Sequence, residues 1–172
     1  MVILYLLMGF GGIYMIQYKE LHINHLGFFL MLLALSLLIG VSYKYSTNIS
    51  QAATITAMIV AILTMISFSS SEGELLNMIS WLPSLTKMLL FIIVVELGYM
   101  FLFDYSMTFD KFMSITVVTL FVFFILSDTS RIIFESKNLE CKTHSCINYP
   151  LQSSSVILDY LNVFIRLLNN NK

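Results

Sequence analysis

Residues 112–131 read FMSITVVTLFVFFILSDTSR, an apolar run that ends in a short polar segment. From Phe112 to Leu126 the only polar side chains are serine and threonine hydroxyls. A bilayer core of about 30 Å needs roughly 20 predominantly apolar residues in a spanning helix. The stretch therefore predicts a membrane helix that carries a carboxyl group, Asp128, at its end.

The composition of the whole chain gives the same indication. Its 172 residues are 58% hydrophobic and 11% charged, and the mean hydropathy is +0.87. A soluble domain normally has about 25% charged residues. This composition excludes an ordinary globular protein, a disordered chain, a basic nucleic-acid-binding domain and a disulfide scaffold. The net charge of −1 implies no charged partner, so the lipid bilayer is the first expected partner and nucleic acid is not one.

Six apolar runs predict an all-α integral membrane protein, a bundle of about six transmembrane helices that forms a single multi-pass domain over residues 1–172. The predicted helices cover about 2–18, 26–44, 49–69, 85–103, 112–130 and 154–169. The first has neither a basic N-terminal region before it nor a small-residue cleavage site, which favours a retained helix over a signal peptide. The distribution of Lys and Arg among the loops favours an external N-terminus and a cytosolic loop 131–152.

The last predicted helix differs from the others because it is short and polar. Its apolar part, Val156 to Leu168, contains Asp159, Asn162 and Arg166 at positions i, i+3 and i+7, on one face of a helix. Two interpretations remain open. The segment is either an amphipathic helix in the membrane interface or a helix inside the bundle, where its polar residues find protein partners.

Cys141 and Cys146 enclose His144 in the loop before that helix. These residues offer three ligands, whereas a structural zinc site needs four, so we expect a reduced pair or a loop disulfide and no bound metal. His22 and His25 are expected to be solvated loop histidines. No nucleophile and base pair, zinc-protease helix or phosphate-binding loop is present in the sequence, so we do not expect an enzyme.

Acidic residues within the predicted membrane helices indicate a functional site more clearly than the cysteines and histidines do. A charged residue at a helix centre costs about 2.5–3.5 kcal/mol on insertion scales and usually faces a bundle interior or a water-filled cavity. Glu96, Asp128 and Asp159 are the candidates. For each residue a purely structural explanation remains open. Glu96 could be neutral or hydrogen-bonded to a neighbouring helix, Asp128 could lie at the level of the lipid headgroups, and Asp159 could be solvated. The possible partners of such a carboxyl are another carboxyl, the Thr129 hydroxyl, Arg131 or Arg166, or a bound metal ion.

Three segments resemble the Bax inhibitor-1 family, the transmembrane BAX inhibitor motif proteins. Residues 127–133, SDTSRII, resemble the family's aspartate-threonine motif, FDTQLII, and residues 158–164, LDYLNVF, resemble its last helix, LDxxNxF. Residues 52–57, AATITA, fit the family pattern AxxxTA. The three matches occur in the family's order and span about residues 26–168. Because the family normally has seven helices, the chain is expected to be a short member that lacks the first helix.

The resemblance implies a pH-sensitive calcium leak of the endoplasmic reticulum or another endomembrane, with suppression of apoptosis as the cellular result. Asp128 and Asp159 would form the carboxyl pair that senses pH and lies on the ion pathway. Glu96, Thr129, Arg131, Asn162 and Arg166 are further pathway or partner residues. No resident cofactor is implied; Ca²⁺ would be the transported ion, with H⁺ and membrane proteins of the cell-death machinery as partners.

Two other hypotheses come from the residues themselves. A chain of this length, rich in Met and Phe, also suits a structural subunit of a membrane complex, such as a small organelle-encoded respiratory subunit of the mitochondrial inner membrane. A regulatory membrane protein that binds others and no longer conducts is the third possibility. Co-purification in a fixed assembly would indicate the structural subunit. A calcium leak that is unaffected by removal of both aspartates would indicate the regulatory protein.

Overall fold

The computed structural model describes residues 2–18, 20–42, 48–103, 106–138 and 148–170. Every regular element in these ranges is a helix, which confirms the predicted all-α fold. In chain order the helices are α1 (Val2–Ile16), α2 (Leu21–Ser42), α3 (Ile49–Ser69), α4 (Glu72–Ser80), α5 (Leu82–Leu102), α6 (Met107–Asn138) and α7 (Tyr149–Asn170). Cys141, His144 and Cys146 lie outside the described residues.

Several helices have the length and the surface of membrane spans. Four segments of the described chain are long and apolar enough to cross a bilayer: His22–Gly40, Ile49–Ser69, Glu72–Leu102 and Met107–Asn138. The apolar part of α1, Ile3–Ile16, is shorter. Large apolar side chains such as Phe10, Phe91 and Phe101 point outward, where a soluble protein would place polar groups. The chain is therefore an integral, multi-pass membrane protein.

The described chain divides into two compact units. Unit 1 comprises Met1–Thr47 and Glu135–Ser155, and unit 2 comprises Asn48–Phe134 and Val156–Lys172. In unit 1, α1 and α2 form a hairpin that depends on two glycines. A Cβ atom on Gly12 would lie 2.7 Å from the Gly27 carbonyl oxygen and 2.8 Å from the Met31 nitrogen. Only glycine permits this close approach of two helix backbones, as small residues do at helix contacts in membranes.

Unit 1 also contains the beginning of α7, which is fixed by Asn148. The Asn148 Oδ1 atom accepts a hydrogen bond from the Leu151 backbone N–H at 3.2 Å, a helix N-cap. Its Nδ2 group donates to the Ile16 carbonyl at 2.6 Å, which satisfies an oxygen at the end of α1. The cap and Pro150, which is suited to a first helical turn, place the start of α7 before residue 154, where the sequence predicts it.

Unit 2 is organised around α6. Its apolar core joins α6 side chains, including Val117 and the fully buried Ile125, to Leu63 of α3, Leu85 of α5 and Val163 of α7. Hydroxyl side chains on the α6 surface, such as that of Thr116, donate to carbonyl groups of their own helix. These bonds satisfy the hydroxyls locally, so they do not prevent the helix from facing lipid.

The α4–α5 region shows a feature that the hydropathy pattern does not predict. A capping box at Ser71 and Glu74 begins the short helix α4, where the Ser71 N–H donates to Glu74 Oε2 at 2.7 Å. At Trp81 the chain passes from α4 to α5, and Pro83 occupies the first turn of α5. Because proline has no N–H group, it suits the start of a helix. These signals start α5 at Leu82, three residues before the apolar run predicts.

Candidate functional site

Asp159 lies in α7 on the side that faces the core of unit 2. The residue is only 8% exposed, and its Oδ2 atom has no hydrogen-bond partner among the described residues. Val163, one turn later on the same face, is also buried. A buried carboxyl without a complete set of partners is uncommon, because burial removes its hydration. Asp159 therefore stays a candidate for the functional site.

Asp128 lies on α6 in unit 2 and is partly buried. Its charge acts on Asp159, so the two carboxyl groups are electrostatically coupled. They belong to different helices, α6 and α7, and so the fold combines two acids that are 31 positions apart in the chain. Their role as a pH-sensing pair stays a prediction of the sequence.

A network of serine hydroxyls fixes the part of α6 that carries Asp128. The Ser127 hydroxyl donates to the Met78 carbonyl at 2.9 Å, which ties α6 to the end of α4. The Ser130 and Ser67 hydroxyls lie 3.1 Å apart and connect α6 to α3. All three serines are fully buried. Since their hydrogen bonds cross between helices, they hold the Asp128 turn at a defined position in the unit.

The other residues predicted for the site occupy different environments. Thr129 is buried, and its Oγ1 atom has no partner among the described residues. Arg131 is exposed. Asn162 is exposed too, and its side-chain amide donates to the Leu158 carbonyl of its own helix at 2.9 Å. The polar face predicted for the last helix therefore divides: Asp159 and Arg166 contribute to the interior, whereas Asn162 does not.

Glu96 and Arg166 form an ion pair between α5 and α7. The guanidinium group makes two contacts with the carboxylate, Nη1 to Oε1 at 2.9 Å and Nη2 to Oε2 at 3.0 Å. The side chains are 23% and 28% exposed, respectively. This two-pronged geometry is the strongest that an arginine and a carboxylate adopt. Of the possible partners that the sequence offers to a membrane carboxyl, Arg166 is the one that Glu96 contacts.

The surroundings of this ion pair were not predicted from the sequence. Glu96 and Arg166 line a cavity of about 410 Å³ together with Asp110, Tyr99, Phe103 and Phe109. Asp110 lies in the first turn of α6, where an acid interacts favourably with the helix dipole, so its position has an ordinary structural explanation in the sequence. Only the packing of α5, α6 and α7 shows that it shares a cavity with Glu96.

His22 and His25 both lie at the start of α2. Across the described residues there is no group of three or more His, Cys, Asp or Glu side chains that could hold a metal ion. His25 contacts the Asn24 side-chain oxygen through Nδ1 at 2.8 Å, at the start of α2. His22 lies in the first turn of the same helix and is exposed.

Comparisons with known proteins establish the family. No curated protein and no solved structure matches the chain. A family model described as "Inhibitor of apoptosis-promoting Bax1" matches residues 1–170, nearly the whole sequence. The match covers all seven helices and both candidate aspartates. The chain therefore belongs to the Bax inhibitor family of multi-pass membrane proteins.

Proposed function

We propose that this protein is a pH-sensitive calcium leak of an endomembrane, most simply the endoplasmic reticulum, and that its activity suppresses apoptosis. Family membership supports the general role in cell-death control. The observation that carries the mechanism is the buried Asp159 carboxyl, one oxygen of which finds no partner in the described part of the chain, together with the effect of the Asp128 charge on it. The proposal includes no catalytic step and no resident cofactor.

The chemistry of two coupled carboxyls explains the pH dependence. In a medium of low dielectric constant two neighbouring carboxylates cannot both ionise cheaply, so such a pair retains one proton. The singly protonated pair corresponds to the closed state. When the remaining proton leaves, the two carboxylates repel each other and offer oxygen ligands to Ca²⁺, a cation that prefers such ligands. The leak should therefore increase as the pH rises through the release of that proton.

Proteoliposomes with an enclosed calcium indicator provide the test. The purified chain should pass Ca²⁺, with a flux that rises with pH. Asp159→Asn removes the titrating group with almost no change in size, and we expect it to abolish the pH dependence. Glu20→Gln, at an exposed acid between α1 and α2, is the matched control and should behave as the unmodified chain.

A pH-dependent flux that is identical in the unmodified chain and in Asp159→Asn would contradict the mechanism. A folded, reconstituted chain without any flux would contradict the leak itself. In cells, the expected result is a lower calcium content of the endoplasmic reticulum and greater survival after an apoptotic stimulus, both lost in Asp159→Asn. The location is tested by imaging the tagged protein against endoplasmic-reticulum and mitochondrial markers.

A further inference from the structure

The cavity between α5, α6 and α7 lies where α5 ends and α6 begins. Glu96, Tyr99 and Phe103 line it from α5, Phe109 and Asp110 from α6, and Arg166 from α7. Its volume of about 410 Å³ falls within the range of about 300–1,000 Å³ that is typical of small-molecule sites. The walls also fit that class, because they are largely apolar with a few charged groups.

The charges of the lining favour a cation. Arg166 is neutralised by its two contacts with Glu96, so its guanidinium group is already paired. Asp110 adds a second carboxylate to the same lining. Among the lining residues that the structure describes, two carboxylates and one guanidinium leave a single net negative charge, and Asp110 is exposed.

The aromatic side chains favour a particular kind of cation. The Tyr99 ring stacks on Phe109 with the ring centres 3.7 Å apart, and it stacks on Phe103 at 5.2 Å. The stack joins α5 to the beginning of α6 and forms part of the cavity wall. Aromatic faces carry negative potential and attract organic cations, above all quaternary ammonium groups. Tyr99 is the middle ring of the stack, so Phe103 and Phe109 at its two ends are the rings that can present a face to the cation.

A metal ion fits this cavity less well. Ca²⁺ takes six to eight oxygen ligands, and aromatic walls cannot replace the water that it would lose. The cavity offers two carboxylates, and one of them is engaged by Arg166. A quaternary ammonium group is weakly hydrated and makes no such demand, so one carboxylate and several rings suffice for it.

We propose that this cavity binds a quaternary ammonium group, with the Asp110 carboxylate as its counter-charge and the Tyr99, Phe103 and Phe109 rings as its wall. The group can come from a free small molecule or from the choline headgroup of a phospholipid, since both present the same chemistry. This site is distinct from the Asp128 and Asp159 pair, and its occupation requires no calcium movement.

The test is a calorimetric titration of the full chain in maltoside micelles with benzyltrimethylammonium chloride. We expect saturable binding. Asp110→Asn should weaken it at least about fivefold because it removes the counter-charge, and Phe103→Leu should weaken it about two- to fivefold because it removes one ring. Glu72→Gln, at an exposed acid of α4 outside the cavity, should leave the affinity unchanged.

Phe103 is 63% exposed, so its replacement should not affect folding. The proposal is overturned if no saturable binding is found, or if both cavity variants retain the affinity of the unmodified chain. Because calorimetry reports binding alone, this result is independent of whether the chain passes calcium.

A competition experiment separates the two sources of the ammonium group. Dihexanoylphosphatidylcholine and dihexanoylphosphatidylglycerol have the same acyl chains, and only the first carries a quaternary ammonium. Displacement of the probe by the choline lipid alone supports the proposal with a lipid headgroup as the ligand. Displacement by neither lipid supports it with a free small molecule as the ligand. Equal displacement by both lipids would show that an acyl chain occupies the cavity, and this would overturn the proposal.

Discussion

The contact between Glu96 and Arg166 changes the interpretation of both residues. An acid in the middle of an apolar run indicates an ion pathway when the sequence alone is considered. In the folded protein the Glu96 carboxylate makes two contacts with the arginine of another helix, at 2.9 and 3.0 Å. Its first role is therefore to join α5 to α7, and a contribution to the pathway would be additional to that role.

A double-mutant cycle tests this role. Arg166→Gln leaves the partly buried Glu96 carboxylate without its partner, and we expect a loss of about 1–2 kcal/mol in the free energy of unfolding, between the values for exposed and buried pairs. Glu96→Gln should cost a similar amount. The double variant should lose less than the sum of the two, because it leaves no unpaired charge. Unfolding in mixed micelles provides the measurement, and strictly additive losses would show that the ion pair contributes nothing.

Glu96 shows which part of the site is visible in the sequence and which part only the fold determines. The sequence identifies Glu96 as exceptional, since charge is scarce in an apolar run, and it includes Arg166 among the possible partners. It cannot select that partner, because the two residues are 70 positions apart and meet only through the packing of α5 against α7. Asp128 and Asp159 were easier to identify together because each lies in a recognisable family motif.

The close contact of backbones in the α1–α2 hairpin can be tested by a single added methyl group. Gly12→Ala places a methyl group 2.7 Å from the Gly27 carbonyl oxygen, so the helices must move apart. We expect a loss of about 1–3 kcal/mol in the free energy of unfolding, as for other overpacked sites. Gly11→Ala is the matched control because a Cβ atom there meets nothing within 4 Å.

Alanine favours a helix over glycine by up to about 1 kcal/mol, so Gly11→Ala should be neutral or stabilising. Unfolding of both variants in micelles, monitored by circular dichroism, provides the comparison. If Gly12→Ala were as stable as Gly11→Ala, the close backbone contact would not exist in the folded protein.

The N-cap at the start of α7 gives a second prediction about a helix boundary. Asn148→Ala removes the N-cap of α7 and leaves the Ile16 carbonyl without its donor. We expect a loss of about 0.5–2 kcal/mol, which is the usual value of a cap. Hydrogen exchange should accelerate in the first turn of α7 and at the end of α1, whereas the control Asn162→Ala should change neither region, because that exposed side chain donates to the Leu158 carbonyl of its own helix.

The helices themselves were predicted to different degrees. Strong apolar runs mark α3, α5 and α6, and their cores occur where the pattern predicts them. The short helix α4 has no such run; its signal is the capping box at Ser71 and Glu74, which acts locally. The first turn of α7 lies before its apolar face and depends on Asn148. Caps and tertiary contacts are invisible to hydropathy, so those boundaries required a structure.

For the whole molecule, the exposed apolar surface determines the behaviour in solution. Phe91 and Met100 are 69% and 76% exposed, which only a surrounding apolar medium makes favourable. We therefore expect the protein to remain in the membrane fraction after alkaline carbonate extraction and to aggregate when detergent is removed. Release into the soluble fraction under carbonate would contradict the assignment as an integral membrane protein.

The ion pair between α5 and α7 also has a consequence for the synthesis and membrane insertion of the protein. A ribosome completes Glu96 long before it reaches Arg166, so α5 must enter the bilayer while its carboxylate still lacks a counter-charge. Inserting such a group costs about 2.5–3.5 kcal/mol at a helix centre, and the apolar residues around it must cover that cost until the chain is complete. A nascent chain that stops before α7 consequently leaves the Glu96 carboxylate without the counter-charge that Arg166 supplies.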